Sequence, residues 1–97
     1  MTSDTPCWHT LSGVEFMQRR WDHDLIVYNA GSGDTHLLET ISAEIFIFLQ
    51  DHYAALSQII THIADVFHYE IDDELKTHIA ELIVQLEKLR LIEVAQL

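Results

Sequence analysis

The sequence predicts an α+β domain, because strand-like and helical patterns occupy separate parts of one short chain. Up to Leu38 the chain is rich in Trp, Val, Phe, Ile, Tyr and Thr, with local alternation of apolar and polar residues. After Leu38 the apolar residues recur at spacings of three and four, the period of amphipathic helices. With 97 residues, 48% of them hydrophobic, the chain can bury one core. We therefore expect strands and helices packed in a single domain.

Three strands are predicted before Leu38. They comprise the alternating stretch at residues 14–21, the apolar run at 25–28, and residues 35–38. The polar segments 22–24 and 29–34 between them have lengths suited to antiparallel connections. The pattern predicts a three-stranded antiparallel meander.

Three helices and a short closing strand at residues 91–94 are predicted after the meander. Thr40 or Ser42 is expected to cap the first helix, Ser57 the second and Asp72 the third. The first helix is expected to end near residues 50–52. The residues predicted to face the core are Ile41, Ile45, Phe48 and Leu49, then Leu56, Ile59, Ile60, Ile63, Val66 and Phe67, then Leu75, Ile79, Leu82, Leu86 and Leu89.

The charge of the chain bears on its partners. Five basic and sixteen acidic residues give a formal charge of −11, which repels nucleic acid and anionic membranes. A single cysteine cannot form an intramolecular disulfide, and the start lacks the features of a secretory signal, so a cytoplasmic location is expected. Residues 1–7, with the only proline, are predicted to be mobile, and residues 8–97 to form the domain.

The stretch GSGDTHLL at residues 31–38 contains two of the three glycines and is the first candidate for a site of chemistry. A phosphate-binding loop would need a lysine after the glycines and a helix to follow. Here no lysine follows, and Asp34 would repel phosphate. A turn that leads into a strand explains the stretch better, because Gly and Asp are turn residues.

No other residues form a catalytic or cofactor-binding pattern. Cys7 and Ser32 lack the neighbours that activate a nucleophile. No two of the seven histidines are separated by three or four positions, so no helix presents the His pair of a typical zinc site. Glu74, His78 and Glu81 share a helix face, for which a solvated charged surface is the favoured interpretation. We expect no metal, no cofactor and no enzymatic activity.

The aromatic and basic residues of the amino-terminal third have simpler interpretations. Trp8 and Trp21 are predicted to be core or interface residues, since a platform for stacking bases would need surrounding cations. Arg19 and Arg20 form the only basic doublet. A solvated strand edge is the favoured interpretation of this doublet, over a docking point for an acidic peptide.

The order of these segments resembles the PqqD-like peptide chaperones over residues 8–94. The residues that carry the resemblance are LIVYN at 25–29, SGDTHLL at 32–38, the helix at 42–49, residues 56–67, and LIVQLEKLRLI at 82–92. The string SGDTHLL is most similar to the branch that accompanies a kinase related to HPr kinase, the HPr-related A system.

The resemblance implies a winged-helix-like domain that binds the leader of a ribosomally synthesised peptide and presents it to a peptide-modifying or kinase-like enzyme. In such domains the leader adds as an extra strand beside the third helix. Carried over to this sequence, the resemblance implies a receiving strand formed by Thr35, His36, Leu37 and Leu38. The implied groove wall on the third helix is formed by Ala80, Val84 and Glu87. A proline at His36 is then expected to abolish peptide binding.

Two alternative functions stay open. A winged-helix DNA-binding regulator could have a similar fold, although the third helix carries few cations among its carboxylates. A structural or oligomerisation subunit, including a homodimer, could instead pair through an exposed edge strand or the N-terminal arm.

Overall fold

The computed structural model describes residues 5–95, in which six strands and three helices follow one another along the chain. The predicted α+β class is confirmed, with the three-stranded meander, three helices and closing strand all present. The elements are β1 (Cys7–Thr10), β2 (Phe16–Trp21), β3 (Asp24–Asn29), β4 (Thr35–Leu38), α1 (Thr40–Asp51), β5 (Ala54–Ala55), α2 (Leu56–Phe67), α3 (Asp73–Lys88) and β6 (Ile92–Val94).

The meander is an antiparallel sheet in the order β2-β3-β4, so β4 lies at one edge. Its register places Gln18 opposite Val27 and Val27 opposite His36. Residues directly opposite each other share a face of the sheet. One face carries the fully buried Val27 and the ring of Phe16, which meets Phe46 of α1 edge-on with centroids 5.5 Å apart. This inner face therefore packs on the helices.

A second, smaller sheet in the order β5-β1-β6 was not predicted. Trp8 of β1 lies opposite both Ala54 of β5 and Val94 of β6. Cys7, which the sequence analysis assigned to a mobile leader, is the first residue of β1. The rest of that prediction concerns mainly residues 1–4, which lie outside the described residues. This sheet ties the start of the domain to its end.

The helix caps were predicted correctly only for α3. There the Asp72 carboxylate accepts from the Leu75 N–H at 2.8 Å. The N-cap of α1 is Glu39, not Thr40 or Ser42, and Glu39 makes no side-chain cap. The N-cap of α2 is Ala55, not Ser57, and the Ala55 N–H donates to the Gln58 side chain at 2.8 Å. The predicted hydroxyl caps were wrong because Thr40, Ser42 and Ser57 lie inside the first turn of their helices rather than before it.

The end of α3 turns the chain directly into β6. Arg90 adopts a left-handed conformation with φ of 59°, and its N–H donates to the Glu87 carbonyl. The Leu91 N–H donates to the Leu86 carbonyl at 3.0 Å, which completes a Schellman motif. Leu86 and Leu91 are both buried, so this turn is also fixed by apolar packing.

The core lies between the inner face of the meander and the three helices. Phe46 is fully buried, whereas Phe48, predicted to face the core, is only partly buried. Val66 and Leu89 were also predicted to be core residues but are exposed, and Trp21 is exposed as well. The largest fully buried side chains are Phe46, Ile45, Leu49, Ile59, Ile63, Ile79, Leu86, Leu91, Ile92 and Val27. None of the described helices has both the length and the apolar composition to cross a membrane.

Candidate peptide-binding site

The stretch at residues 31–38 is a tight turn followed by the edge strand β4. Asn29 organises the turn, because its side-chain oxygen accepts from the backbone N–H groups of Gly31 at 2.8 Å and Ser32 at 3.1 Å. Gly33 has φ of 81°, a conformation that favours glycine. The Asp34 N–H donates to the Ser32 hydroxyl at 3.2 Å. The N–H groups of Gly31, Ser32 and Asp34 thus bind side chains of the turn itself. The predicted turn is confirmed.

Two residues of β4 direct their backbone groups away from the sheet. The Asn29 N–H donates to the Asp34 carbonyl, and the Ala30 N–H donates to the Glu15 carbonyl on the other side of β3. Backbone groups alternate in direction along a strand, so these two bonds fix which residues of β3 face β4. In the observed register Val27 and Leu25 pair with His36 and Leu38.

It follows that the N–H and C=O groups of Thr35 and Leu37 point outward from the edge. His36 and Leu38 use theirs within the sheet. Their side chains alternate as well, since Leu38 is buried at 3% exposure whereas Leu37 is 60% exposed. The four residues predicted as a receiving strand therefore form the edge, but they divide into two pairs with different roles.

A groove of about 250 Å³ lies between β4 and α3. Leu37, Leu38 and Glu39 border it on the strand side, and Ser42 of α1 contributes to it. On the other side the groove is lined by the α3 residues Leu82, Gln85 and Leu86 and by Leu89, the C-cap of α3. The groove is therefore mostly apolar, with a carboxylate, a hydroxyl and an amide that can bind backbone or polar groups of a ligand.

The α3 residues predicted for the groove wall lie elsewhere. Val84 is exposed, Ala80 is half-buried, and neither lines the groove. Glu87 accepts a hydrogen bond from the Trp8 indole and borders a different depression, beside β6. Sequence reasoning assigned Leu82, Leu86 and Leu89 to the core and so missed them as groove residues. Their apolar stripe continues to the exposed end of α3, and this was the sequence signal that could have indicated a groove.

A second depression, of about 1040 Å³, lies where the chain passes from α2 to α3. It includes Glu74, His78 and Glu81, the helix face considered for metal binding, and several further carboxylates. Within residues 5–95, no three His, Cys, Asp or Glu side chains are placed to hold a metal ion. Cys7, the only cysteine of the chain, is half-buried.

Two histidine–carboxylate pairs tie elements together away from the groove. His62 of α2 lies 2.9 Å from the Glu44 carboxylate of α1, and its ring stacks on Phe48 with centroids 4.0 Å apart. Glu93 accepts from both the backbone N–H and the hydroxyl of Ser12, with His9 3.3 Å away. These hydrogen bonds, with a smaller effect of His9, hold the pKa of Glu93 below its usual value.

A solved structure shares this fold. It is described as TbiB1 in complex with the TbiA(beta) leader peptide, and it aligns with a TM-score of 0.69 at 15% sequence identity. The alignment covers 87% of this chain and 94% of TbiB1. No family model matches the chain, and no curated protein matches it. At this identity the comparison establishes the fold alone.

Proposed function

We propose that this protein is a PqqD-like adaptor that binds the leader of a ribosomally synthesised peptide. The observation that carries the proposal is the outward-facing backbone of Thr35 and Leu37 beside the apolar groove. The shared fold supports it, since TbiB1 was solved in complex with a leader peptide.

Strand addition suits this edge because its backbone groups are already arranged as half of a ladder. A peptide in extended conformation would bond to both N–H groups and both carbonyls of Thr35 and Leu37. The edge is short, four residues long, so these bonds alone give little selectivity. The remaining selectivity must come from the side chains of the peptide.

The groove supplies side-chain recognition on one face of the added strand. Successive side chains of an extended peptide point to opposite faces. Those on the inner side would enter the groove between β4 and α3 and contact Leu82 and Leu89. Those on the outer side would lie beside the exposed Leu37. A leader with apolar residues at alternate positions therefore fits the site.

Charge distinguishes this role from DNA binding. Within the described chain α3 carries Lys76 and Lys88 against four carboxylates, in a protein with a charge of −11. A phosphate backbone would be repelled from this helix, whereas a peptide leader presents few charges per unit length. The groove itself contains one carboxylate and no cation, so it favours neutral or basic leaders over acidic ones.

In this proposal the protein performs no chemistry. It would hold the leader so that the remainder of the precursor extends toward a modifying or kinase-like enzyme. Ordering the leader in advance reduces the entropy that the enzyme must overcome when it engages the substrate.

The test is fluorescence anisotropy with the labelled synthetic leader of a precursor encoded beside the gene of this chain. Leu37→Pro removes an outward N–H at an edge position where proline is tolerated, and should weaken binding at least about tenfold. Leu37→Ala keeps the N–H and is the matched control, with a smaller loss. Equal affinities for Leu37→Pro and Leu37→Ala would contradict strand addition.

A further inference from the structure

The face of the meander opposite the core is a second surface, which meets the proposed leader site only at the β4 edge. The register places on it alternate residues of all three strands, which we name the outer sheet face: Met17, Arg19, Trp21, Asp24, Ile26, Tyr28, Thr35 and Leu37. The buried residues between them, Leu25, Val27 and Leu38, face the helices. The outer sheet face is therefore fixed by the same register that builds the core.

This face is apolar and uncovered. Trp21 is 61% exposed, Leu37 60%, Met17 59% and Tyr28 38%. An antiparallel sheet with one solvated face normally carries polar residues there, so that apolar and polar residues alternate. Here both faces of β3 are apolar, with Leu25 and Val27 on the inner face and Ile26 on the outer one. Contiguous exposed apolar surface of this kind marks an interaction site.

We propose that the outer sheet face binds a second copy of this chain, forming a two-fold dimer in which two meanders pack face to face. Sheets pack this way in β-sandwiches, with interdigitated side chains. A two-fold contact requires a surface that is complementary to itself. The outer sheet face meets that requirement in both its apolar residues and its charges.

The charges of the face are self-complementary. Within the strands it carries one cation, Arg19, and one carboxylate, Asp24, in adjacent rows. Arg19 forms no ion pair within residues 5–95. A two-fold rotation that places Arg19 over Asp24 of the second copy also places Asp24 over the other Arg19. Two opposite-charge contacts form at once.

The charge of the whole chain also favours this face over the rest of the surface. Two copies of charge −11 repel each other, and the repulsion is least where the approaching surfaces are locally neutral. The acidic depression between α2 and α3 is the opposite case. Screening over about 8 Å at physiological salt leaves mainly the local charges to act across the contact.

The size of the face sets the expected affinity. Two three-stranded faces would bury on the order of 1,000 Å² in total, the lower limit for specific interfaces. The dimer should therefore be weak and reversible, with a Kd of roughly tens to hundreds of micromolar. Face-to-face packing leaves the backbone edge of β4 open, and the side chain shared by the dimer face and the proposed leader site is that of Leu37.

Sedimentation velocity on the full chain tests the proposal over about 5 to about 500 µM at physiological salt, without any leader. We expect a shift from monomer toward dimer with increasing concentration. Trp21→Ser should weaken the dimer at least about tenfold, because it removes a large aromatic side chain that the dimer would bury. Ile71→Ser removes a side chain of similar exposure, 50%, outside the face, and should have no effect.

The adjacent arginines provide a charge control. Arg19→Glu should weaken the dimer, whereas Arg20→Glu makes the same change in net charge on the other face of β2 and should not. The double variant Arg19→Asp with Asp24→Arg should recover most of the affinity. A monomer at every concentration would overturn the proposal and leave the face to a different protein. Equal effects of Arg19→Glu and Arg20→Glu, or of Trp21→Ser and Ile71→Ser, would also overturn it.

Discussion

The indole Nε1–H of Trp8 donates to the Glu87 carboxylate at 2.9 Å, joining residues 79 positions apart in the sequence. The bond fastens β1 to the last turns of α3. Glu87→Ala should lower the free energy of unfolding by about 1 kcal/mol, because a hydrogen bond to an exposed carboxylate lies near the middle of the usual range. Urea denaturation monitored by tryptophan fluorescence measures the change.

Trp8→Phe tests the same hydrogen bond from the other side, since it removes the donor and keeps an aromatic ring. In a double-mutant cycle with Glu87→Ala, the two losses should be less than additive. Full additivity would show that the bond contributes nothing in solution. Because Glu87 does not line the groove, we expect leader affinity to be unchanged in Glu87→Ala.

Proline at adjacent positions of β4 should destabilise the fold to very different degrees. The His36 N–H pairs with β3, so His36→Pro breaks a ladder bond and should destabilise the fold by about 1–3 kcal/mol. The Leu37 N–H points outward, so Leu37→Pro should cost much less. Thermal unfolding followed by circular dichroism separates the two.

His36→Pro is therefore a poor test of peptide binding, since lost binding in that variant could reflect lost folding. If Leu37→Pro proved as destabilising as His36→Pro, the assignment of outward and inward residues in β4 would be wrong. Thr35→Pro, at the other outward position, provides an independent check of the same alternation.

The periodic elements of the fold could be predicted from the sequence, and the short strands could not. The alternation before Leu38 and the 3.6-residue period after it fixed the meander and the helices. The strands β1 and β5 contain four and two residues, too few to show a period, and they pair across more than forty positions. Such pairing depends on tertiary packing, which local patterns do not record.

The candidate site could be predicted only in part, because it also depends on how the elements pack. The string at residues 31–38 indicated a turn and an edge, but not which backbone groups face outward, since that depends on the register with β3. On α3 the apolar face is broader than the core requires. Ile83 is buried whereas Leu89 is 44% exposed, and no periodicity separates core from groove on such a face.

Leu89 and Val84 provide a matched test of where the groove lies. Leu89 is the C-cap of α3 and Val84 lies within the helix; they are apolar and similarly exposed, 44% and 49%, but only Leu89 lines the groove. Leu89→Ser should weaken leader binding about tenfold, because an apolar side chain of this size contributes roughly that much when a ligand covers it. Val84→Ser should leave affinity unchanged. Isothermal titration with the synthetic leader measures both, and a larger loss in Val84→Ser would restore the wall predicted from the sequence.

Glu93 should make stability depend on pH in the acid range. Hydrogen bonds from Ser12, and to a smaller degree the nearby His9, hold its pKa below the usual value in the folded state. The folded carboxylate therefore releases its proton more readily than the unfolded one. Its contribution to stability is complete above the unfolded pKa of about 4.3 and is lost as the pH falls through the lower folded pKa. The side chain is 38% exposed, so solvent screening keeps the effect small.

Comparison with Glu93→Gln isolates this contribution from those of the other carboxylates. The wild type should be more stable than Glu93→Gln by a constant amount between about pH 5 and pH 6, and the difference should shrink as the pH falls below the unfolded pKa of about 4.3. Chemical denaturation at each pH gives both curves. Glu81→Gln, which removes an exposed carboxylate of α3, is the control. A difference for Glu93→Gln that stays constant through the acid range would contradict the lowered pKa, because the two states would then bind protons equally.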